Sequence, residues 1–153
     1  MSDLGIAIAV HVLSVVWWIG GIAFVACVFL PALRAGAVGD PAAAFRAIES
    51  RFAPQARIAV ILVGLSGGYL LWRLELWRHL HHAAWWWLDA MMLYWLLFVM
   101  FLFVLAPLGL LRHIMRGAHP DERGWRRLQR SHTLLLSIGL VIIAAAAAGG
   151  RGF

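Results

Sequence analysis

Four long apolar segments separated by short arginine-rich connections dominate this chain of 153 residues. A spanning helix needs about 20 apolar residues, so the chain has room for roughly four such helices and for no separate soluble domain. Its 63% of hydrophobic and 13% of charged residues are typical of a membrane protein. We therefore predict an all-α, polytopic four-helix bundle that forms a single transmembrane domain over residues 1–153. The predicted helices cover about residues 4–33, 54–72, 83–111 and 125–148.

The positive charge of the chain comes from arginine alone, because the sequence contains no lysine. Arginine is concentrated in the first and third connections, which the positive-inside rule assigns to the cytoplasm of a bacterial inner membrane. Both termini and the second connection then face the periplasm. Arginines at the ends of apolar runs set topology and reach toward headgroups, so the charge does not indicate a nucleic-acid partner. The arginines of these two connections are Arg34, Arg46, Arg51, Arg57, Arg112, Arg116, Arg123, Arg126, Arg127 and Arg130.

The first connection has the pattern of a short amphipathic helix. Asp40 followed by Pro41 suits a helix cap and first turn, and phenylalanine and isoleucine then recur at helical spacing. We expect this helix to lie on the cytoplasmic membrane surface. The second spanning helix is predicted to begin separately at Pro54, a residue that suits a first turn.

Small residues indicate where helices approach closely. Gly64 and Gly68 form a GxxxG pair, and Gly20 and Gly21 lie in the first helix. We predict that these glycines, with the alanine run at 144–148, form packing faces. The tryptophans at 85–87 are typical of a periplasmic aromatic belt.

His11 is an ionisable residue inside the first apolar segment, about 12 Å below the periplasmic surface at 1.5 Å per residue. Such a residue is a candidate for function, because an imidazole buried in lipid is costly. Ser14 and Trp18 share its helix face and would supply a polar partner and an aromatic wall. The alternative is a histidine satisfied by a hydrogen bond to a neighbouring helix.

Met91 lies at the same depth, since it is also eight residues past the expected start of its helix. A histidine and a thioether at one depth can hold a haem iron axially or bind a cuprous ion. Met92 adjoins it as a further soft ligand. The alternative is that these methionines are flexible apolar fillers.

The sequence leaves more than one role for two other residues within or near the membrane. His132 in the fourth helix is expected about 10 Å from His11 along the membrane normal, too far for both to ligate one metal. It would serve a second metal site, a proton relay or an interhelical hydrogen bond. Asp89 either hydrogen-bonds His11 or is a solvated residue near its helix N-terminus.

The second connection carries Arg78, His79, His81 and His82. Clustered histidines can capture copper or zinc, although a solvated loop is the alternative. Together with Arg73, this segment could pair with haem propionates.

At these residues the chain resembles the HemJ-type and CopD-type membrane proteins, a superfamily of small four-helix bundles. The first helix, AVHVLSVVWWIGGIAFV, and the segment RFAPQARIAVILVGLSGGYLLW look like the first two helices of that superfamily. In HemJ-type proteins the first-helix histidine is implicated in haem b binding and protoporphyrinogen oxidation, together with a lysine in the third helix. By this resemblance His11 takes the histidine role, and Met91 stands at the position of the lysine. Because the lysine is absent, the resemblance implies haem binding through His11 and Met91 more strongly than it implies the oxidase activity.

CopD-type proteins are associated with copper uptake, and the chain resembles their isolated bundle. The sequence therefore leads to three hypotheses. The first is a haem b protein acting in electron transfer or porphyrin oxidation, with haem between the first and third helices. The second is a copper-binding or copper-transporting protein that uses His11, Met91 and Met92. The third is a structural or assembly subunit without a cofactor. The sequence predicts contact with the lipid bilayer. It does not indicate the redox partner, and it does not decide whether the chain forms a homo-oligomer.

Overall fold

The computed structural model describes residues 2–106 and 122–149. Four helices in these ranges are long and apolar enough to cross a membrane, and the described residues contain no strand. The predicted all-α, four-helix membrane fold is thus confirmed. The predicted last residues of the third helix lie outside the described ranges. The helices are α1 (Asp3–Arg34), α2 (Pro41–Arg73), α3 (Ala83–Leu105) and α4 (Glu122–Gly149).

The ends of α1 and α2 show how the helices run. Ser2 caps α1 by accepting a hydrogen bond from the Gly5 backbone N–H at 3.2 Å. The Tyr69 hydroxyl, one turn before the end of α2, donates to Asp3 at 2.7 Å. The two helices are therefore antiparallel. We call this side of the bundle the Asp3 end and the opposite side, where Arg34 donates to Gln129 of α4, the Arg34 end.

Two of the helices contain a π-helical turn, and each turn precedes a proline in the sequence. In α1 the turn covers Val25–Phe29 and Pro31 follows. In α3 it covers Met100–Leu105 and Pro107 follows. Proline lacks a backbone N–H, so the preceding turn must lose a hydrogen bond, and a wider turn accommodates that loss.

Arg57 compensates for the proline after α3. In a π-helical turn the Leu102 carbonyl would pair with the N–H five residues later, but that residue is Pro107. Instead Nε of Arg57 donates to the Leu102 oxygen at 3.3 Å. Arg57 was assigned to the first connection, and the structure places it within α2.

The helix α2 corrects the predicted division between a surface helix and a spanning helix. Asp40 caps its start by accepting from the Ala43 N–H at 2.9 Å, as expected. The helix then runs without interruption through Pro54, which was wrongly predicted to open a new helix. Pro54 removes one backbone donor, the one that would serve the Ser50 carbonyl, and a single loss inside a bundle is tolerated. The Phe45 ring lies 5.5 Å from that of Trp125, so the first part of α2 also packs on α4.

The interior of the bundle is formed by α1 packed along α2 and by α4 packed against α1 and α3. Trp18 is at its centre, with ring centroids 5.5 Å from Tyr94 and 4.9 Å from Phe98. The outer faces are strongly apolar: Leu13 and Leu93 are 69% and 71% exposed. Such faces require a lipid environment, and the chain is a multi-pass membrane protein.

Two neighbouring aromatic residues join α3 to its neighbours. Nε1 of Trp95 donates to the Val60 carbonyl of α2, and the Tyr94 hydroxyl donates to the Leu135 carbonyl of α4, each at 2.9 Å. A glycine stands four residues after each acceptor, at positions 64 and 139, and an added Cβ would collide with the aromatic side chain. The glycines thus leave each carbonyl accessible to its donor.

The predicted glycine packing faces are only partly formed. Gly64 receives the Trp95 side chain and Gly21 receives the ring of Phe52. A Cβ on Gly20 or Gly68 would meet nothing within 4 Å. Glycine in this bundle makes room for side chains of neighbouring segments, and Gly68 leaves open space.

Candidate functional site

A cavity of about 320 Å³ lies between the four helices in the half of the bundle toward the Asp3 end. Its walls are apolar and aromatic, with tryptophans 18, 87 and 95 contributing from α1 and α3. Gly64, Gly67 and Gly68 share one face of α2, at spacings of three and four residues, and also line the cavity. The missing side chains of this face help to create the space.

His11 lines this cavity, and its Nδ1 lies 3.1 Å from Oγ of Ser66 in α2. The Ser66 hydroxyl donates its proton to the Leu62 carbonyl of its own helix. Because a serine hydroxyl has one proton, its oxygen then accepts from Nδ1–H of His11. This arrangement selects the tautomer in which Nε2 carries the lone pair.

The buried polar atoms of the bundle limit what can surround the second nitrogen of His11. Trp18 Nε1 is the one buried side-chain nitrogen or oxygen without a hydrogen-bond partner in the described part of the chain. Nε2 of His11 is not among such atoms, so it is either exposed or has a partner. Besides Ser66, the Val63 backbone of α2 is a hydrogen-bonding neighbour of the ring. Gly67 allows the ring to sit against α2, since a Cβ there would lie 3.0 Å from Cε1 of His11.

Met91 and Met92 both line the same cavity. Met91 is half-buried, whereas 38% of Met92 is exposed. The structure thus brings His11 and Met91 to one cavity. Of the two residues predicted on the His11 face, Trp18 lines the cavity, and Ser14 is buried outside the lining.

The predicted arginines are not part of this cavity. Arg78 pairs with Glu75 at 3.2 Å and lies over the Trp77 ring, 5.3 Å from its centroid. Arg73 is exposed, and its charge acts on Tyr69 and Asp3 at the surface. In this arrangement both side chains are engaged at the Asp3 end outside the cavity lining.

His132 lies elsewhere in the bundle. Its Nδ1 is 2.9 Å from the Leu128 carbonyl, one turn earlier in α4. This hydrogen bond is within one helix, not between two helices as expected. His132 is also absent from the lining of the cavity that contains His11.

Asp89 contacts the second connection, not His11. Its Oδ2 accepts from the backbone N–H of His81 at 3.0 Å, and its Oδ1 lies 3.4 Å from the His81 ring. His81 has φ +65°, a left-handed conformation that this hydrogen bond helps to hold. His79 stacks on Trp85 with ring centroids 4.2 Å apart. Over the described ranges no three histidine, cysteine or acidic side chains form a metal-binding group.

Sequence reasoning missed Ser66 as the partner of His11. The signal available was a serine between glycines inside an apolar helix, in GLSGG. The aromatic wall formed by Trp87, Tyr94 and Trp95 was missed as well. Their positions depend on the rotation of α3, which hydropathy does not specify.

No protein-family model, curated protein or solved structure matches this chain. The resemblance to the HemJ-type and CopD-type proteins therefore stays a prediction. The functional assignment depends on the chemistry of the cavity.

Proposed function

We propose that the chain is an integral membrane haem b protein acting in electron transfer or porphyrin oxidation. In this proposal Nε2 of His11 and the Met91 thioether would hold the haem iron. The observation that carries the proposal is the hydrogen bond between His11 and Ser66. A histidine that binds metal through one nitrogen commonly donates from the other, which fixes its ring and tautomer.

The lining of the cavity also suits a haem-like cofactor. Cofactor pockets are mostly apolar, with few polar groups and volumes of about 300–1,000 Å³. At about 320 Å³ this cavity is at the lower end of that range. Its tryptophan and glycine walls suit a planar apolar ring, and His11 and Met91 offer ligands on the facing helices α1 and α3.

Haem would supply one-electron chemistry, and the chain would tune it. Ser66 would orient His11, and a thioether ligand at Met91 would raise the reduction potential relative to a second imidazole. The apolar walls would limit water at the iron. These roles are consistent with a site for electron transfer.

Copper is the second candidate, and the position of Met92 favours it. One imidazole and two thioethers line one cavity, and soft ligands of this kind select cuprous copper. A cofactor-free structural subunit is the third candidate, because the Ser66 contact by itself satisfies one nitrogen of the half-buried imidazole.

The absorption spectrum of the purified full-length chain separates these functions. We expect a Soret band that shifts on reduction and that is lost in His11→Ala. His132→Ala is the matched control, since it removes a membrane histidine outside the cavity, and it should retain the band. A colourless protein with stoichiometric copper would support the second candidate. A purified protein that contains neither haem nor copper would support the third candidate.

We also infer that the Arg34 end is cytoplasmic and that both termini are periplasmic in a bacterial inner membrane. The support is the concentration of arginine in the first and third connections. Cys27 is the one cysteine of the sequence, and Cys27→Ser removes it. In that background a single cysteine placed at Ser2 or at Gly39 would test this orientation in intact cells. A membrane-impermeant maleimide should label only position 2. Labelling of position 39 alone would show that the chain has the opposite orientation.

A further inference from the structure

A second recess lies at the Arg34 end of the bundle and shares no residue with the His11 cavity. It has a volume of about 500 Å³ and lies between the end of α1 and one face of α4. We call it the arginine groove. The residues that line it are Arg34, Arg126, Gln129, Arg130, Thr133, Leu134 and Ser137.

Among the residues that the structure describes, the three guanidinium groups of the arginine groove have little compensating negative charge. Arg126 pairs with Glu122 at 3.5 Å, but it is also four residues from Arg130, a spacing at which like charges repel. Arg34 donates to the Gln129 amide oxygen at 2.6 Å, which positions its guanidinium without neutralising it. Within residues 2–106 and 122–149, no carboxylate forms an ion pair with Arg34 or Arg130. The described side chains therefore give the groove an excess of positive charge.

The groove is also elongated along the membrane normal. Arg126, Arg130, Thr133 and Ser137 follow one another at spacings of four, three and four residues on one face of α4. The rise from the first to the last is about 16 Å at 1.5 Å per residue. Ser137 is satisfied by donating to the Thr133 carbonyl at 2.9 Å, so the deep part of the groove demands no polar ligand.

We propose that the arginine groove binds one anionic phospholipid. The phosphate of the headgroup is held by Arg34, Arg126 and Arg130, whose planar guanidinium groups match phosphate oxygens in bidentate pairs. The acyl chains follow α4 toward Ser137. Basic pockets between spanning helices are known binding sites for anionic headgroups. A free phosphate would use only the arginine rim, whereas a lipid uses the full length of the groove.

A lipid titration of the full-length chain in zwitterionic detergent tests this proposal. The midpoint of thermal unfolding is followed while dioleoylphosphatidylglycerol or dioleoylphosphatidylcholine is added. We expect a saturable rise with the anionic lipid only. Arg34→Gln and Arg130→Gln should each raise the half-saturating concentration about tenfold, the value of one charge-assisted hydrogen bond. Arg127→Gln is the matched control, because Arg127 is exposed at the same end of α4 but does not line the groove.

Each other outcome overturns the proposal. Equal weakening by Arg127→Gln and Arg130→Gln would mean diffuse attraction to the charged helix end. An equal rise with phosphatidylcholine would mean an apolar effect of added lipid. Saturation by inorganic phosphate that also abolishes the lipid response would assign the site to a free anion.

Two controls accompany the titration. Equal unfolding midpoints of the variants without lipid would exclude a folding defect. Arg130→Lys should recover only part of the affinity, because lysine lacks the bidentate fork of arginine.

Discussion

Nδ1 of His11 in α1 lies 3.1 Å from Oγ of Ser66 in α2, and Ser66 in turn donates to the Leu62 carbonyl. This chain of hydrogen bonds ties the imidazole to a neighbouring helix through a neutral group. It fixes the ring without adding a buried charge, and it leaves Nε2 with the lone pair. The relation between these two residues links the fold to the proposed function.

Ser66→Ala removes that link and leaves the helix intact. We expect haem affinity to fall about 10–100-fold, the usual cost of losing the partner of a metal-bound histidine. Titration of haem into the purified chain measures this change. Ser131→Ala is the matched control, since its hydroxyl bonds only within α4 and is exposed. Unchanged affinity in Ser66→Ala would contradict the role assigned to this contact.

Gly67→Ala should displace His11. An added Cβ would lie 3.0 Å from Cε1 of the ring, closer than the 3.5–4.0 Å or so at which carbon atoms attract. We expect less bound haem per protein, measured by absorbance after purification. Gly20→Ala adds the same methyl group to α1, where nothing lies within 4 Å and where the residue does not line the cavity, and should bind haem normally. Equal loss in both variants would mean that an added methyl group disturbs the bundle without acting on His11.

Met91→Leu keeps the approximate volume of the side chain and removes the sulfur. If the thioether ligates iron, the reduction potential and the reduced spectrum should change while His11 still retains haem. Potentiometric titration measures the shift. Met100→Leu, an exposed position later in α3, should leave the potential unchanged. A potential in Met91→Leu identical to that of the parent would remove Met91 as a ligand.

Trp95→Phe deletes the donor to the Val60 carbonyl and should lower the free energy of unfolding by about 1 kcal/mol. Gly64→Ala should cost about 1–3 kcal/mol, because its methyl group would overlap the Trp95 ring. Unfolding by sodium dodecyl sulfate in mixed micelles measures both values. Trp86→Phe serves as the control, since Trp86 is 51% exposed. A loss no larger in Trp95→Phe than in Trp86→Phe would show that the hydrogen bond is unimportant.

The number and type of the helices could be predicted from the sequence, because spanning segments are specified locally by length and apolarity. The depth of His11 and Met91 followed from the same count of residues, and both line one cavity. The continuity of α2 through Pro54 could not be predicted. Proline lacks a backbone N–H, so in a local reading of the sequence it indicates the first turn of a helix. Packing of α2 against α1 and α4 outweighs the loss of that one hydrogen bond.

The partners of the polar residues were harder to predict for a related reason. Hydropathy gives the depth of a side chain but not the rotation of its helix. Ser66 therefore escaped notice as the partner of His11, and Asp89 was considered for that role although it binds His81. The bond of His132 to Leu128 lies within one helix, where a partner in another helix was expected.

The most direct measurement of the central claim is rescue by free imidazole. His11→Gly removes the proposed ligand and leaves space for an imidazole molecule in the same cavity. We predict that the purified variant lacks the Soret band and regains it when haem and imidazole are added together. Retention of the parent spectrum by His11→Gly without imidazole would contradict ligation by His11.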